Sequence, residues 1–404
     1  MKSLENKVKS QKSKVKSHTI AVLGSHSALE VCFGAKKLGF KTLVIVEKGR
    51  DRTYVDYFHS RHPGGPELAE GPIGSHDGDS IASLQNDIPY MGCVDEVLYV
   101  DQFKDLLTEK VQKVLKAKNC IFIPHRSFEV YLADYDAIEK SFDVPMFGNR
   151  FLLRAEERTE SPNQYDILEK AGIKYPKRFK DASDIDRLAL VKVLEKERAF
   201  ERAFFLVSSY VEYQSVSRKL VKEEKITREA LEKAVIEEFV IGVQVNFNFF
   251  YSPLHNRLEL IGTDTRRQTN LDGILRLPQN YQAQLVEDKI VEPSYEEAGH
   301  IAVTVLESLL EQAFAVGERF VQATQEMFSP GVIGPFGLQS VIIAGPPKKE
   351  IVVFDISPRM PGSPGIAATP YSSYLYGRPV SMGERVAMEI KEAIERGQTK
   401  RILM

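Results

Sequence analysis

Gly331-Val332-Ile333-Gly334-Pro335-Phe336-Gly337-Leu338-Gln339 and Ile351-Val352-Val353-Phe354-Asp355-Ile356-Ser357-Pro358-Arg359 are apolar runs flanking Gly345-Pro346-Pro347-Lys348-Lys349. A turn signal between two such runs predicts a β-hairpin. Pairing symmetric about Pro347 puts Gln339 opposite Asp355, because the two lie equally far from that centre. Directly opposed residues of antiparallel strands share a face. An amide oxygen and a carboxylate then converge, with Arg359 just past the strand end. Two hard oxygen ligands suit Mg²⁺, which takes one or two protein ligands and fills its shell with nucleotide phosphate. The pattern suggests an ATP-dependent ligase; the plainer alternative is a strand carboxylate paired with Arg359.

The 404 residues exceed what one hydrophobic core usually supports, so two or three domains are expected. Apolar and charged fractions of 43% and 27% are those of a globular chain, and a net charge of -2 argues against a nucleic-acid partner. Residues 1–18 are the exception, with Lys2, Lys7, Lys9, Lys12, Lys14 and Lys16 among serines. Lacking an apolar core, this segment reads as a disordered basic tail rather than a signal peptide or anchor. Cys32, Cys93 and Cys120 are too few and too scattered for a metal knuckle or a disulfide framework. No run approaches the length of a membrane span, so a cytoplasmic protein without a membrane partner is expected.

Thr19-Ile20-Ala21-Val22-Leu23 reads as a strand that ends at Gly24-Ser25-His26-Ser27, followed by a helical pattern to Leu38 and a strand over 41–46. Strand, glycine turn, helix, strand is the first unit of a parallel α/β sheet, continued by strands over 96–100 and 120–124. Right-handed crossovers bring Ser25-His26 and His125-Arg126-Ser127 to one sheet edge, where ligands of such sheets bind. Residues 50–91 interrupt the pattern with a Gly-, Pro- and acid-rich loop. From Pro145 the texture changes to α+β: a helix over 163–172, strands over 188–193, 204–208, 235–240, 243–251 and 258–264, a helix over 227–234, a long helix over 301–327, the hairpin, and a closing helix over 381–395. The expected domains are the 1–18 tail, an N-terminal α/β domain over 19–144, a small lobe over 145–242, and a large lobe over 243–404 carrying the hairpin.

Gly24-Ser25-His26-Ser27 lies between a strand and a helix, where free backbone N–H groups and the helix dipole favour an anion. Ser25 and Ser27 also suit plain helix capping. His26 is not needed for a cap, and with Ser127 it would make a polar site for a phosphate or small carboxylate. Glu237-Glu238-Phe239-Val240 is either an amphipathic strand or a hinge on which adenine stacks.

Gly24-Ser25-His26, Pro124-His125-Arg126-Ser127-Phe128, Pro145-Met146-Phe147-Gly148-Asn149-Arg150, Phe250-Tyr251-Ser252-Pro253-Leu254, Gly334-Pro335-Phe336-Gly337-Leu338-Gln339 and Ser381-Met382-Gly383 occur in order. Together they resemble the archaeal formate-dependent AICAR ligases, the PurP family of purine (IMP) biosynthesis. The resemblance implies an N-terminal α/β (pre-ATP-grasp) domain followed by ATP-grasp α+β lobes. It also implies the joining of formate to the amine of AICAR with ATP, through formyl phosphate, to give FAICAR. ATP and Mg²⁺, with Mn²⁺ as an alternative metal, are the implied cofactors. His26, Ser127 and His300 match AICAR-contacting positions, the last an asparagine in the family. Lys192, Glu238, Phe239, Val240 and Gln268 match ATP-contacting positions, the last a glutamate in the family. Gln339 and Asp355 match the Mg²⁺ ligands.

The chain also departs from that family. The glycine-rich loop that closes over the phosphates is replaced by Glu195-Lys196-Glu197-Arg198-Ala199-Phe200-Glu201-Arg202-Ala203, without glycine and with three acids. A lysine gives way to Asp166, the glycine of Pro-His-Gly-Ser to Arg126, and the acidic Gly/Asn-rich segment to Met360-Pro361-Gly362-Ser363-Pro364-Gly365. Three readings stay open: an AICAR-formylating ligase, a non-catalytic paralogue that binds a purine nucleotide or an active homologue, and an ATP-grasp ligase for another amine and carboxylate. Assembly as a homo-oligomer, or as a hetero-oligomer with a homologue, is expected.

Overall fold

The computed structural model describes residues 15, 17–60, 92–193, 204–287, 297–345 and 347–404. Most of the basic tail, the middle of the 50–91 insertion and the whole 195–203 loop therefore lie outside the described residues. The chain forms two compact units, Met1–Gly148 with Gly383–Met404, and Asn149–Met382.

The first unit is built on a parallel sheet of order β3-β2-β1-β4, from β1 (Thr19–Leu23), β2 (Lys41–Glu47), β3 (Glu96–Val100) and β4 (Cys120–Phe122). Every residue of β1 is buried, as expected of a parallel strand covered on both faces. Helices α1 (Ala28–Lys37), α2 (Glu109–Ala117), α3 (Arg126–Leu132) and α4 (Tyr135–Lys140) follow the strands. The unit is completed from the other end of the chain. Phe147 bridges Leu403, and the backbone N–H of Met404 donates to Met146 O at 2.9 Å. The C-terminal helix (Met382–Arg396) meets α1 through two facing glycines. A Cβ on Gly34 would land on the backbone of Gly383 and Glu384, and one on Gly383 would land on Glu30. Only hydrogen side chains permit this approach.

The second unit carries two sheets. Strands β5 (Arg178–Phe179), β6 (Ala189–Lys192), β7 (Phe204–Val207) and β8 (Val235–Glu238) form a small antiparallel sheet of order β5-β8-β6-β7. Helix α5 (Gln164–Lys170) sends Ile167 and Leu168 into the core of the larger sheet, while α6 (Tyr210–Lys222) and α7 (Arg228–Glu232) pack on the small one. The larger sheet, of order β11-β10-β9-β12-β13, is built from β9 (Val243–Ser252), β10 (Arg257–Gln268), β11 (Glu297–Ala302), β12 (Gly334–Ile343) and β13 (Glu350–Ser357). Val245, Phe247 and Phe249 of β9 enter a core shared with Ala313, Val316 and Phe320 of α8 (Glu307–Met327). The alternate residues Asn246 and Asn248 take the opposite, polar face.

Strand β13 breaks its own alternation. Ile351, Val353 and Ile356 all belong to the core, which a uniform period of two forbids. A bulge resolves the conflict: Ser340 pairs with Val353, and the next rung pairs Gln339 with Asp355. Without the extra residue Asp355 would share the core face of Val353; with it, the carboxylate is re-aimed to the polar face. The expected Gln339–Asp355 pair is therefore present, but through compensation, because the rungs nearest the turn follow an offset register beginning at Ile343–Glu350.

Two expectations need correction. The helix expected over 301–327 begins only at Glu307. Ile301 and Ala302 end edge strand β11, paired with Thr265 and Asp264, where the β-branched run Ile301, Val303, Thr304, Val305 suits extended backbone. Helix α6 was missed, although Ser209 caps it by accepting from Glu212 N at 3.3 Å and the Glu212 carboxylate reaches back to Ser208 N at 2.7 Å. The signal Ser-x-x-Glu is there in the sequence.

The facing glycines give a direct test. Gly34→Ala should destabilise the protein by roughly 1–3 kcal/mol or more through overpacking against rigid backbone. Gly273→Ala, in a helix where an added Cβ meets nothing within 4 Å, should be neutral or stabilising. Urea denaturation of both variants checks the contrast.

Candidate functional site

In the first unit, the C-terminal ends of neighbouring strands β1 and β4 bring four polar side chains together. Ser127 Oγ donates to Ser25 Oγ at 3.0 Å, and the His26 and His125 rings stack with centroids 5.7 Å apart. His125 is fully buried. Its Nε2 donates to Leu23 O at 2.9 Å and its Nδ1 accepts from Ser127 N at 3.2 Å. These partners fix the Nε2–H tautomer and place Ser127 at the start of α3. Ser27 is the N-cap of α1 without making a side-chain cap bond; its hydroxyl lies 2.7 Å from His26 Nδ1. The capping role open to Ser27 in the sequence is thus not the one it takes. His26 sits in the left-handed region at φ 47°, a conformation that costs free energy in a non-glycine residue. The expected grouping of Ser25, His26 and Ser127 is present, and His125 is what organises it.

In the second unit, one row crosses the large sheet. Asp355 pairs with Gln339, Gln339 with Asn246, and Asn246 with Asp264, so all four side chains share the polar face. Asp264 has no exposure and takes three donors: Asn246 Nδ2 at 2.9 Å, Asn248 Nδ2 at 2.6 Å, and His300 Nδ1. The other nitrogen of His300 meets Glu297 Oε1 at 2.5 Å, and Ser363 Oγ lies 3.2 Å from its Nδ1. Burial alone would lower the His300 pKa; hydrogen bonds to Asp264 and Glu297 outweigh it and raise the value to about 9. His300 is therefore an imidazolium at neutral pH, bracketed by two carboxylates.

At the other end of the row, Arg158 Nη2 donates to Asp355 Oδ1 at 2.8 Å. Arg359 instead binds Glu156, with Nη2 to Oε1 at 2.7 Å and Nε to Oε2 at 3.1 Å. The arginine suggested as the simple partner of Asp355 is thus a different one. Above the row, Lys192 forms a buried ion pair with Glu237, which also accepts from Tyr165 Oη at 2.9 Å. The Lys192 ammonium lies 5.7 Å from the centroid of the Phe354 ring. Burial lowers the Lys192 pKa against the opposing pull of Glu237. For Arg158 burial also pulls downward, but Asp355, Tyr165 and Glu237 win and the net displacement is upward.

The remaining expected residues are placed as follows. Glu238 ends β8; the backbone N–H groups of Glu238 and Phe239 donate to Lys177 O and Leu188 O, and Val240 follows. Gln268 is the N-cap of the short helix Thr269–Ile274, its backbone N–H bound to Asp272 Oδ2 at 2.9 Å. Asp166 accepts from Asn163 N at 2.7 Å in a capping box that starts α5. Sequence reasoning missed Asn246, Asn248, Asp264, Arg158, Tyr165 and Glu237 as members of one constellation. The alternation Val245-Asn246-Phe247-Asn248-Phe249 carried a usable signal: asparagine is a poor strand former, and here it recurs on one face of a strand whose other face is core.

Gln339 Oε1 and Asn246 Oδ1 are buried and have no hydrogen-bond partner among the described residues. A hard cation suits this setting, because Gln339 offers an oxygen that no described residue binds and Asp355 lies opposite.

A family model described as a protein of unknown function (DUF1246) matches residues 20–179, and a domain of unknown function (DUF1297) matches 212–404. The 5-formaminoimidazole-4-carboxamide-1-(beta)-D-ribofuranosyl 5'-monophosphate synthetase of Methanopyrus kandleri is 36% identical over 379 residues, covering 94% of this chain and 93% of that protein. The crystal structure of an IMP biosynthesis protein PurP from Thermococcus kodakaraensis superposes with a TM-score of 0.63 at 26% identity, covering 95% of this chain and all of that one. The N5-carboxyaminoimidazole synthetase from Staphylococcus aureus, solved with ADP, gives a TM-score of 0.55 at 13% identity over 92% of this chain and 77% of that one. The fold is that of the ATP-grasp ligases.

The bracketed imidazolium has a pH signature. A folded pKa above the unfolded value of roughly 6.5 contributes stability that is complete below that value and lost as pH rises through about 9. With partial solvent screening the contribution is on the order of 1–2 kcal/mol. His300→Asn should therefore unfold at lower urea than the parent protein at pH 6, and the gap should close by pH 10. A gap independent of pH would contradict the assignment.

Proposed function

The chain belongs to the family of 5-formaminoimidazole-4-carboxamide-1-(beta)-D-ribofuranosyl 5'-monophosphate synthetases, and we propose that it formylates AICAR with formate and ATP. The observation that carries this reading is the polar row of the large sheet. A buried amide oxygen without a partner among the described residues faces a carboxylate, with two cations close by. Gln339 and Asp355 would hold Mg²⁺, or Mn²⁺ through the same oxygens. When bound, the metal neutralises charge on the nucleotide phosphates.

The reaction has two balanced steps. The terminal phosphoryl group of ATP passes to a formate oxygen, releasing ADP and giving formyl phosphate. The AICAR amine then forms a C–N bond to the formyl carbon as the C–O bond to phosphate breaks, and the nitrogen's proton leaves with the phosphate. This chain's residues bind and orient. Lys192, buried, and Arg158, half-buried, are cations whose charge opposes that of the phosphates, held in position before any ligand arrives. The strand from Glu238 through Phe239 to Val240 and the side chain of Gln268 are assigned to the nucleotide. Ser25, His26 and Ser127, ordered by His125, are assigned to the ribonucleotide substrate.

One observation favours a binding protein without turnover: Arg158 and Lys192 already face carboxylates, which reduces the charge they present to a phosphate.

Incubation of the purified protein with Mg-ATP, formate and AICAR should yield FAICAR and ADP in equal amounts, and chelation of divalent metal should abolish both. Gln339→Ala and Asp355→Asn should each lower kcat/KM by at least about a hundredfold. Calorimetric binding of Mg-ATP without any formate-dependent product would support the binding protein instead.

A further inference from the structure

Asn246 is the residue of the polar row that no role yet explains. It is 5% exposed, and its two amide ends are in unlike situations. Nδ2 donates to Asp264 Oδ2 at 2.9 Å, while Oδ1 is buried without a partner among the described residues. A carboxylate accepts and does not donate, so Asp264 fixes which way the amide is turned. The same carboxylate is held by Asn248 Nδ2 at 2.6 Å and by His300, so it cannot swing away to release Asn246. The consequence is an acceptor oxygen aimed into the polar face at a desolvation cost, next to Gln339 on the neighbouring strand.

The chemistry that answers a lone acceptor is an N–H donor or a cation. The nearest carboxylate, Asp264, is already occupied by three donors. A neutral amide oxygen with no available carboxylate beside it suits a neutral N–H better than a divalent ion. Resting on the function proposed above, we propose that Asn246 Oδ1 accepts one N–H of the substrate's aromatic amine and so positions the nucleophile. An acceptor is the right partner for an attacking amine. It takes an N–H and leaves the nitrogen lone pair to form the C–N bond, whereas a donor would tie that lone pair up. Because Gln339 faces Asn246 across the strands, the amine is delivered beside the residues assigned to the metal and the phosphates. Asn246 is thus a positioning residue for the nucleophile, and Asp264, with Asn248 and His300 behind it, keeps its oxygen presented.

The test crosses a change in the protein with a change in the ligand. Binding of AICAR, of its analogue lacking the 5-amino group, and of the analogue with a carboxylate in place of the carboxamide is measured by calorimetry on the full chain. The wild-type protein should bind the deamino analogue about tenfold more weakly than AICAR. Asn246→Ala should bind the two alike, with Mn²⁺ binding in the presence of ADP unchanged. Equal binding of AICAR and the deamino analogue by the wild-type protein overturns the assignment without recourse to any variant. So does preference for AICAR that survives in Asn246→Ala, a loss confined to the carboxylate analogue, or weakened Mn²⁺ binding in the variant. A wild-type protein that binds no AICAR overturns the proposed function, and this assignment with it.

Discussion

Asp264 sits without exposure on β10, next to the edge strand of a five-stranded sheet, where a carboxylate is stable only when donors replace the water it has lost. Asn246, Asn248 and His300 supply them from the two strands beside it. This requirement limits which residues the neighbouring strands can carry. It commits Asn246 and Asn248 of β9 to amides and leaves Val245, Phe247 and Phe249 to build the core against α8. It also ties edge strand β11 to the centre of the sheet through a charged side chain rather than through backbone alone. The bulge in β13 answers the same constraint at the other end of the row, turning Asp355 out of a core that could not have accommodated it.

Much of the first unit was legible because its signals are local. Continuous apolar strands, glycine turns and helical periodicity fall within short windows, and the edge that gathers Ser25, His26 and Ser127 follows from crossover handedness. In the second unit the hairpin and its Gln339–Asp355 rung were readable, although the bulge that produces the rung was not, since no residue between Val353 and Ile356 announces it. The Lys192–Glu237–Tyr165 cluster and the Arg158–Asp355 pair join residues far apart in sequence, and a single chain offers no way to match a given cation to a given acid. The end of edge strand β11, Ile301 and Ala302, reads as the start of the long helix because a β-branched run leads into a strong helical pattern, and only pairing with β10 decides between them.

Some departures from the family pattern acquire a local explanation. Asp166 closes a capping box on α5, so its charge serves the helix terminus. His300 joins the Asp264 network with both ring nitrogens engaged, and Ser363, in the segment that departs from the family's Gly/Asn-rich form, lies against it. His300 and Ser363 thus meet on one face of the sheet, whereas Asp166 acts apart from them at a helix terminus. The 195–203 loop lies outside the described residues.

The two facing glycines that join α1 to the C-terminal helix also bear on the order in which the molecule can be made. The first unit is assembled from Met1–Gly148 and Gly383–Met404, with the whole of Asn149–Met382 emerging between them. On a ribosome the leading sheet must therefore wait, with one flank of α1 uncovered, until Gly383–Met404 has left the exit tunnel. The intervening unit carries its own sheets and core and is free to fold during that interval. Vectorial synthesis is thus inverted: the middle of the chain can mature first, and the beginning is finished last. A ribosome that stalls before residue 383 would leave the α1 surface that Gly383 and Glu384 cover without its partner, which makes Gly383–Met404 a checkpoint on whether the first unit persists.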